Sequence, residues 1–249
     1  MKIVVIIPTY RERENIQKLI PLLAEQRNRI NHDLQILVVD DNSPDGTAQA
    51  VGELIKTHKN LHLVSGEKQG LGAAYIRGMR YAMEKLEAEI VVEMDADLSH
   101  KPEDLPRLIA EIDSGADFVI GSRYVPGGKI PEGWSLLRKA NSRWGNRFAR
   151  YIAGIDDVAD CTAGFRAIRV ELLKKIDLTK LHVKGYSFQM SLLFEAFVGG
   201  GKIKEVPVEF VERKIGHTKI GPGDIIEFVW TAFKLRDRRL KLKGLGVRG

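Results

Sequence analysis

Short apolar runs alternate with amphipathic stretches along the first half of the chain. The apolar runs predict buried strands at residues 2–7, 35–41, 61–65, 90–94 and 118–122. Between them, apolar residues recur at helical spacing, which predicts helices beginning near residues 14, 47, 72 and 102. Strands that alternate with helices indicate βαβ units. We therefore expect an α/β protein with a mainly parallel central sheet flanked by helices.

Polar segments follow several of these strands. Ligands of such sheets bind at the carboxyl ends of the strands, so the polar segments are expected to form a single site. The segments are Thr9-Tyr10-Arg11-Glu12, Asp40-Asp41, residues 95–100 and Ser122-Arg123.

Two acidic residues, Asp95 and Asp97, stand just after the fourth predicted strand. In an extended segment, residues two apart point to the same side, so both carboxylates would face one space. A divalent cation relieves their repulsion, and oxygen-seeking ions such as Mg²⁺ or Mn²⁺ suit these ligands. A simpler interpretation, in which the acids only cap a helix or shape the turn, fits an isolated Asp-x-Asp. The other polar segments at the same edge favour a binding site.

Composition narrows the class of protein. The chain has 249 residues, is 44% hydrophobic, and holds a single cysteine, Cys161, so an internal disulfide is excluded. Pro8 interrupts the first apolar run too early for a signal peptide, and no apolar run reaches transmembrane length, so we expect a cytoplasmic protein. The glycine-rich segment Gly70-Leu71-Gly72 has Tyr75 at the position where a dinucleotide-binding fingerprint needs its third glycine. The sequence therefore lacks the fingerprint of a nicotinamide- or flavin-binding protein.

The net charge of +6 is concentrated near the C-terminus. Residues 234–249 contain seven basic residues and one acid, which together account for the whole excess. A basic segment of this kind suggests contact with an anionic surface, either lipid or nucleic acid. Binding of nucleic acid through stacked bases would need aromatic residues among the charges, and residues 234–249 contain none. We therefore expect no nucleic-acid partner, and a non-catalytic binding module is the less favoured alternative.

The order of the motifs resembles that of family 2 glycosyltransferases with the GT-A fold, and among them the polyprenyl-phosphate (dolichyl-phosphate) mannosyltransferases. The resemblance covers almost the whole chain. Its motifs are Pro8-Thr9-Tyr10, Val39-Asp40-Asp41-x-Ser43-x-Asp45-Gly46-Thr47, Lys68-x-Gly70-Leu71-Gly72-x-Ala74-Tyr75, Met94-Asp95-Ala96-Asp97-Leu98-Ser99-His100, Gly121-Ser122-Arg123-Tyr124, Arg138-Lys139-x-x-Ser142-Arg143, Thr162-x-Gly164-Phe165-Arg166, Gly185-Tyr186-Ser187-Phe188-Gln189 and Pro207-x-x-Phe210-x-x-Arg213-x-x-Gly216.

The resemblance implies a Rossmann-like fold that binds a nucleotide sugar, with a role for each matching residue. Asp95 and Asp97 would hold Mg²⁺ or Mn²⁺ and the diphosphate, with Ala96 between them. Arg123 would face the diphosphate, and Asp97, Arg123 and Arg213 would form the catalytic set. The nucleoside pocket would consist of Pro8, Tyr10, Glu12 and Asp40, and the acceptor phosphate would be held by Arg138, Ser142 and Arg213.

The implied reaction is inverting transfer of mannose from GDP-mannose to a polyprenyl or dolichyl phosphate. A polyprenyl-phosphate glucosyltransferase that uses UDP-glucose is the close alternative. Residues 1–215 would form the catalytic domain, and residues 216–249 a Gly-rich loop, an amphipathic helix and a basic tail without a transmembrane segment. Capture of the lipid acceptor would then require peripheral contact with the cytoplasmic face of a membrane, or a membrane-protein partner.

Two interpretations of the C-terminal region remain open. The apolar residues between 225 and 235, with Asp224 as the N-cap, predict a helix that lies in a membrane interface. The same pattern also fits a helix packed on the domain, followed by a disordered basic tail. Trp134 and Trp144, near the basic Arg138 segment, are core residues or line an apolar lipid path.

Overall fold

Seven strands and eight helices make up the computed structural model, which describes residues 1–155, 157–181, 185–212 and 222–244. The strands are β1 (Lys2–Thr9), β2 (Asp33–Asp40), β3 (Leu61–Ser65), β4 (Ile90–Glu93), β5 (Phe118–Ser122), β6 (Arg166–Arg169) and β7 (Ile203–Pro207). The helices are α1 (Arg13–Gln26), α2 (Thr47–Thr57), α3 (Leu71–Glu84), α4 (Leu105–Asp113), α5 (Leu136–Ala153), α6 (Val170–Leu173), α7 (Gly185–Val198) and α8 (Pro222–Gly244). Short 3₁₀ turns occupy Arg27–Arg29, Pro102–Asp104 and Leu178–Lys180.

The strands form one sheet in the order β3-β2-β1-β4-β6-β5-β7. All neighbouring pairs are parallel except those of β6, which runs antiparallel between β4 and β5. The carboxyl ends of β1, β2, β4 and β5 therefore share an edge with the beginning of β6. This edge collects the polar segments that the sequence places after the strands.

Both faces of the sheet are covered, which explains the unbroken apolar runs of the central strands. In β1, Ile3, Val5 and Ile7 face a layer that contains α1 and α4, while Val4 and Ile6 face the layer of α3 and α7. This two-sided burial confirms the α/β class and the mainly parallel sheet.

Helix α3 lies unusually close to the sheet. A Cβ atom on Gly78 would come within 2.4 Å of the Ile6 side chain, so only glycine permits this approach. Tyr75 lies three residues earlier, on the same face of α3. The close approach therefore brings the fully buried Tyr75 toward the residues that follow β4.

Helix α8 packs on the domain through one face. Ala232 and Leu235 are buried in the core shared with α5 and α7, and Arg238 forms an ion pair with Glu195 of α7. The helix begins at Pro222, so the prediction of Asp224 as its N-cap is wrong, and Asp224 lies in the first turn. The helix extends through the basic residues as far as Gly244.

Among the residues that the structure describes, no helix combines the length and apolarity needed to cross a bilayer. The predicted division of the chain near residue 215 falls in residues 213–221, outside the described part. That division stays a prediction.

Candidate active site

The turn after β4 holds the two acidic residues in a fixed conformation. The Asp97 carboxylate accepts hydrogen bonds at Oδ1 from the Ser99 backbone N–H (3.0 Å) and from the Ser99 hydroxyl (2.5 Å). Leu98, which lies between Asp97 and Ser99, has a φ of 62°, a left-handed conformation that is costly for a leucine. Ser99 thus holds Asp97 in place through a tight turn.

Asp95 is held from two sides. The Tyr75 hydroxyl donates to Oδ1 at 3.2 Å, and the Asp95 backbone N–H donates to Nδ1 of His100 at 3.1 Å. Burial, together with the negative charges of Asp95 and Glu93, raises the pKa of Tyr75 well above 10, so its hydroxyl remains a donor. The Asp95 side chain is still 31% exposed, so a ligand can reach it.

The acidic turn fits a divalent cation that shares its ligands with a substrate. A Cβ built on Gly164 would lie 3.6 Å from Asp95 Oδ2, so the space beside the carboxylate is lined by a residue without a side chain. The described part of the chain contains no cluster of three or more His, Cys, Asp or Glu residues placed to bind a metal. Two carboxylates with substrate phosphates are an ordinary environment for Mg²⁺, which rarely uses an all-protein cage.

The residues predicted to bind the nucleoside lie at the ends of β1 and β2. Pro8 is half-buried, and the Tyr10 ring stands beneath the Lys68 ammonium, whose Nζ is 3.5 Å from the ring centroid. Glu12 accepts a hydrogen bond from the Asn15 side chain at 2.7 Å. These side chains therefore share the sheet edge with Asp95.

Asp40 is buried and already accepts several hydrogen bonds. Its carboxylate accepts from the Thr9 hydroxyl (2.9 Å), and from both the hydroxyl (2.6 Å) and the backbone N–H (2.9 Å) of Ser43. Beside it, burial raises the pKa of Asp41 against the opposing effect of Arg77. Asp40 thus organises the loop after β2, and its contact with a base or ribose stays a prediction.

Arg123 is held tightly by a neighbouring acid. Its Nε and Nη2 donate to the two Asp160 oxygens at 2.7 and 2.8 Å, and Nη2 also donates to the Thr162 hydroxyl at 2.8 Å. Burial raises the pKa of Asp160, but the Arg123 guanidinium outweighs it and leaves that pKa below 3.8. The guanidinium is therefore strongly anchored, and its predicted role toward a diphosphate is not tested by this geometry.

Two of the three predicted acceptor residues, Arg138 and Ser142, lie on the first two turns of α5. The Ser142 hydroxyl is 2.6 Å from the Tyr124 hydroxyl, which links α5 to the end of β5. Arg138 stacks on the Trp134 ring at 4.0 Å and forms an ion pair with Glu212 at 3.6 Å. Arg213, the next residue after Glu212, lies outside the described residues.

A row of aromatic rings connects Arg138 of α5 with the acidic turn. The centroids of Trp134 and Phe210 are 6.1 Å apart, those of Phe210 and His100 are 5.6 Å apart, and His100 stacks on Phe165 at 5.2 Å. Trp134 is therefore a core residue. Arg138 contacts Trp134 at one end of this row, and Asp95 contacts His100 within it, so packed rings connect the two residues.

The crossing segment, residues 208–212, passes along the same edge. Its backbone is hydrogen-bonded to Ser122 and Lys129 on one side and to the Ser99 carbonyl on the other. Gly128 permits this arrangement, because a Cβ there would lie 2.6 Å from the Ser122 carbonyl oxygen. The segment places Glu212 beside Arg138.

Several residues of this site had no role predicted from the sequence. Tyr75 ends the motif that begins at Lys68, but its role comes from a contact with Asp95, and Asp160 contacts Arg123; both contacts join residues far apart in the chain, so the sequence does not reveal them. Cys161 is buried, its Sγ lies 2.8 Å from Asn146 Oδ1, and burial raises its pKa to about 12, which agrees with a packing role.

Comparison with known proteins gives a consistent result. The family described as glycosyl transferase family 2 matches residues 4–177. The chain is 41% identical over 247 residues to a polyprenol monophosphomannose synthase of Mycolicibacterium smegmatis, covering 98% of this chain and 87% of the relative. It is 35% identical to a dolichol-phosphate mannosyltransferase of Pyrococcus furiosus, covering 100% of this chain and 69% of the relative.

Solved structures share the architecture. A crystal structure of glucosyl-3-phosphoglycerate synthase from Mycobacterium tuberculosis superposes with a TM-score of 0.67 at 19% identity, covering 95% of this chain and 80% of that chain. The same enzyme in complex with Mn²⁺ and UDP-glucose gives a TM-score of 0.64, covering 100% and 80%. The predicted GT-A fold is confirmed.

Proposed function

This chain belongs to glycosyl transferase family 2, and we propose that it transfers mannose from GDP-mannose to a polyprenyl phosphate. The observation that carries this proposal is the similarity over nearly its full length to relatives named for mannose transfer to polyprenyl carriers. The site geometry supports it. The predicted nucleoside residues, the acidic turn and the two described acceptor residues, Arg138 and Ser142, succeed one another along one sheet edge.

The acceptor chemistry needs no dedicated general base. A phosphate monoester is already ionised at neutral pH, so it can attack the sugar carbon directly. The protein must then bring a diphosphate and a monophosphate beside the same carbon, which is a task of charge compensation and orientation. Arg138 and Ser142, which share one side of α5 with a spacing of four residues, suit a bound phosphate. Direct displacement from an α-linked donor would give a β-linked product.

Asp95 and Asp97 would hold Mg²⁺ or Mn²⁺ together with the donor diphosphate. When bound, the cation would stabilise the negative charge that develops on the leaving diphosphate. The protein residues would keep both carboxylates in place, Asp97 through Ser99 and Asp95 through its buried neighbours.

The first experiment compares donors. The purified protein is incubated with a short-chain polyprenyl phosphate and GDP-mannose, UDP-glucose or UDP-mannose, with Mn²⁺, Mg²⁺ or excess chelator. Of the three donors, we expect only GDP-mannose to be turned over, and we expect this turnover to be lost when excess chelator is present. Turnover with UDP-glucose in place of GDP-mannose would support the glucosyltransferase alternative, and full activity in chelator would contradict the metal assignment.

Asp97→Ala should abolish detectable transfer and weaken Mn²⁺-dependent binding of GDP, because it removes one of the two carboxylates. Isothermal titration calorimetry with GDP, with and without Mn²⁺, measures the binding. Asp113→Ala is the matched control, because Asp113 ends α4 and pairs with His32 away from the site. Unchanged metal-dependent binding by Asp97→Ala would remove this residue from the site.

We also propose that α5 and α8 contact the membrane that carries the acceptor lipid. Of the eleven exposed large apolar residues in the described part of the chain, ten lie on these two helices, and Phe148 of α5 contacts Phe233 of α8. The same two helices carry exposed basic residues, among them Arg143, Lys234 and Arg236, which suits an anionic lipid surface. The apolar residues are Leu136, Leu137, Trp144, Phe148 and Tyr151 on α5, and Ile225, Ile226, Trp230, Phe233 and Leu240 on α8.

Vesicle co-sedimentation tests this contact. Trp144→Ser and Trp230→Ser replace rings that are 68% and 62% exposed, so we expect weaker binding to vesicles for each and an additive loss for the pair. Leu71→Ser is the control for vesicle binding, because Leu71 is 38% exposed and lies on α3, outside this face. Equal binding by all variants would contradict the contact. Dimerisation that the substitutions abolish would instead assign the face to a second copy.

A further inference from the structure

The Asp95 carboxylate is exposed enough to bind a ligand, yet its position is set by two buried residues, one on helix α3 and one in the same turn. Tyr75 comes from α3, twenty residues earlier, and its hydroxyl donates to Oδ1 at 3.2 Å. His100 comes from the end of the acidic turn and accepts from the Asp95 backbone N–H at 3.1 Å. One contact fixes the side chain and the other fixes the backbone.

Neither of these residues can move easily. The Tyr75 ring has no exposed surface and stacks on Phe188, with centroids 5.8 Å apart and planes 4° apart. The His100 ring is enclosed by Phe165 and Phe210. Packed rings of this kind hold their polar atoms within a narrow range of positions.

The direction of the His100 hydrogen bond also fixes its tautomer. A backbone N–H can only donate, so Nδ1 accepts and the proton of the neutral ring lies on Nε2. Nε2 lies 3.9 Å from Asp95 Oδ2. The N–H dipole therefore faces the second carboxylate oxygen, while Tyr75 holds the first.

We propose that Tyr75 and His100 are positioning residues that fix the Asp95 carboxylate in one orientation for the divalent cation. The inference rests on the proposed metal-assisted function. Partners that orient a metal-binding carboxylate commonly contribute about 10- to 100-fold to metal affinity or activity. We expect that contribution here chiefly from the Tyr75 hydroxyl, since it bonds directly to a carboxylate oxygen.

Tyr75→Phe tests the role of the hydroxyl with little change in packing. The free Mn²⁺ signal in electron paramagnetic resonance, recorded with GDP present, measures metal affinity without turnover. We expect the apparent Kd of Mn²⁺ to rise about 10-fold or more in Tyr75→Phe. We also expect kcat at limiting Mn²⁺ to fall and to recover in part at saturating Mn²⁺, while the KM for the acceptor stays the same. Tyr81→Phe, on the same helix and outside the site, should match the wild-type protein.

A second pair of variants tests His100. Asn can present its side-chain oxygen near the position of Nδ1, so His100→Asn should retain tighter Mn²⁺ binding than His100→Ala. Wild-type Mn²⁺ affinity in both Tyr75→Phe and His100→Ala would overturn the positioning role while leaving the proposed function intact. Absence of GDP-dependent Mn²⁺ binding by the wild-type protein would contradict the metal-assisted function, and this inference with it.

Discussion

At the scale of single residues, the Arg123–Asp160 pair shows how much of the site is held by buried charge. Both side chains are almost completely buried, and the guanidinium meets both carboxylate oxygens. A buried ion pair adds little stability compared with two apolar residues in its place. Removal of one partner is costly, however, because the other charge is then buried without compensation. Arg123 can therefore be stably buried beside the acidic turn only with Asp160 present.

Asp160→Asn should lower the free energy of unfolding by about 3–5 kcal/mol at pH 7. The Arg123 guanidinium holds the native pKa of Asp160 below the value of an ordinary carboxyl, so this stabilisation is complete above the unfolded pKa of about 4 and is lost as the pH falls through the lower native pKa. Urea unfolding at pH 7, 5 and 4 measures the difference between variant and wild type. We expect it to be constant from pH 7 to 5 and to begin shrinking near pH 4. Thr162→Val, which removes only one acceptor of Arg123, should cost much less.

At the scale of elements, the sequence predicts the first five strands well and misses the last two, the antiparallel β6 and the parallel edge strand β7. The five apolar runs become β1 to β5, with boundaries shifted by two residues or fewer. Strand β6 begins and ends with arginine, so it has no apolar run to reveal it. Its Arg166 is fully buried, because the strand register places it opposite Glu93 and its guanidinium donates to the carbonyls of Gln189 and Cys161.

In the candidate site, too, the sequence predicts local features and misses contacts between distant residues. The acidic turn carries a local motif and follows a predicted strand, so the sequence places it at the sheet edge. The contacts of Tyr75 with Asp95 and of Arg123 with Asp160 join residues 20 and 37 positions apart, and only the packing of the helices determines them. The sequence pattern for Trp144 left core and lipid contact open, and the structure exposes the ring.

Arg166→Met should lower the free energy of unfolding by about 3–5 kcal/mol above pH 7, where Glu93 is ionised, because it leaves that carboxylate in the core without its cation. Burial already raises the pKa of Glu93 to about 7, despite the lowering effect of Arg166. Adding Glu93→Gln should restore part of the loss, since no uncompensated charge then remains. A double-mutant cycle by urea unfolding measures this coupling, and strictly additive losses would show that the two residues do not interact.

At the scale of the whole molecule, charge and apolar surface meet on the same helix. Residues 234–249 account for the net charge of +6, and as far as Gly244 they continue α8, whose apolar side chains are exposed. Arg238 forms an ion pair with Glu195, whereas the Lys234 and Arg236 side chains are exposed on the helix surface. Point substitutions are therefore a cleaner probe of charge than truncation, which would also remove the Arg238 contact.

The double variant Lys234→Ser/Arg236→Ser should bind anionic vesicles less tightly by about 2 kcal/mol at low salt, since each cation near such a surface contributes about 1 kcal/mol. The difference should nearly vanish at 1 M salt, where the screening length is about 3 Å. Co-sedimentation over a salt series with anionic and neutral vesicles provides the measurement. A difference of equal size on neutral vesicles would rule out an electrostatic contribution from these residues.

The crossing segment, residues 208–212, has a consequence for building chimeras from members of this family. Its backbone is bonded to the Ser99 carbonyl, and its last residue, Glu212, pairs with Arg138 of α5. If α5 were taken from another family member, its residues would pack against the recipient's own crossing segment, which is bonded to the recipient's acidic turn. A part that is to be exchanged intact is therefore discontinuous in sequence, because α5 and residues 208–212 must be transferred together.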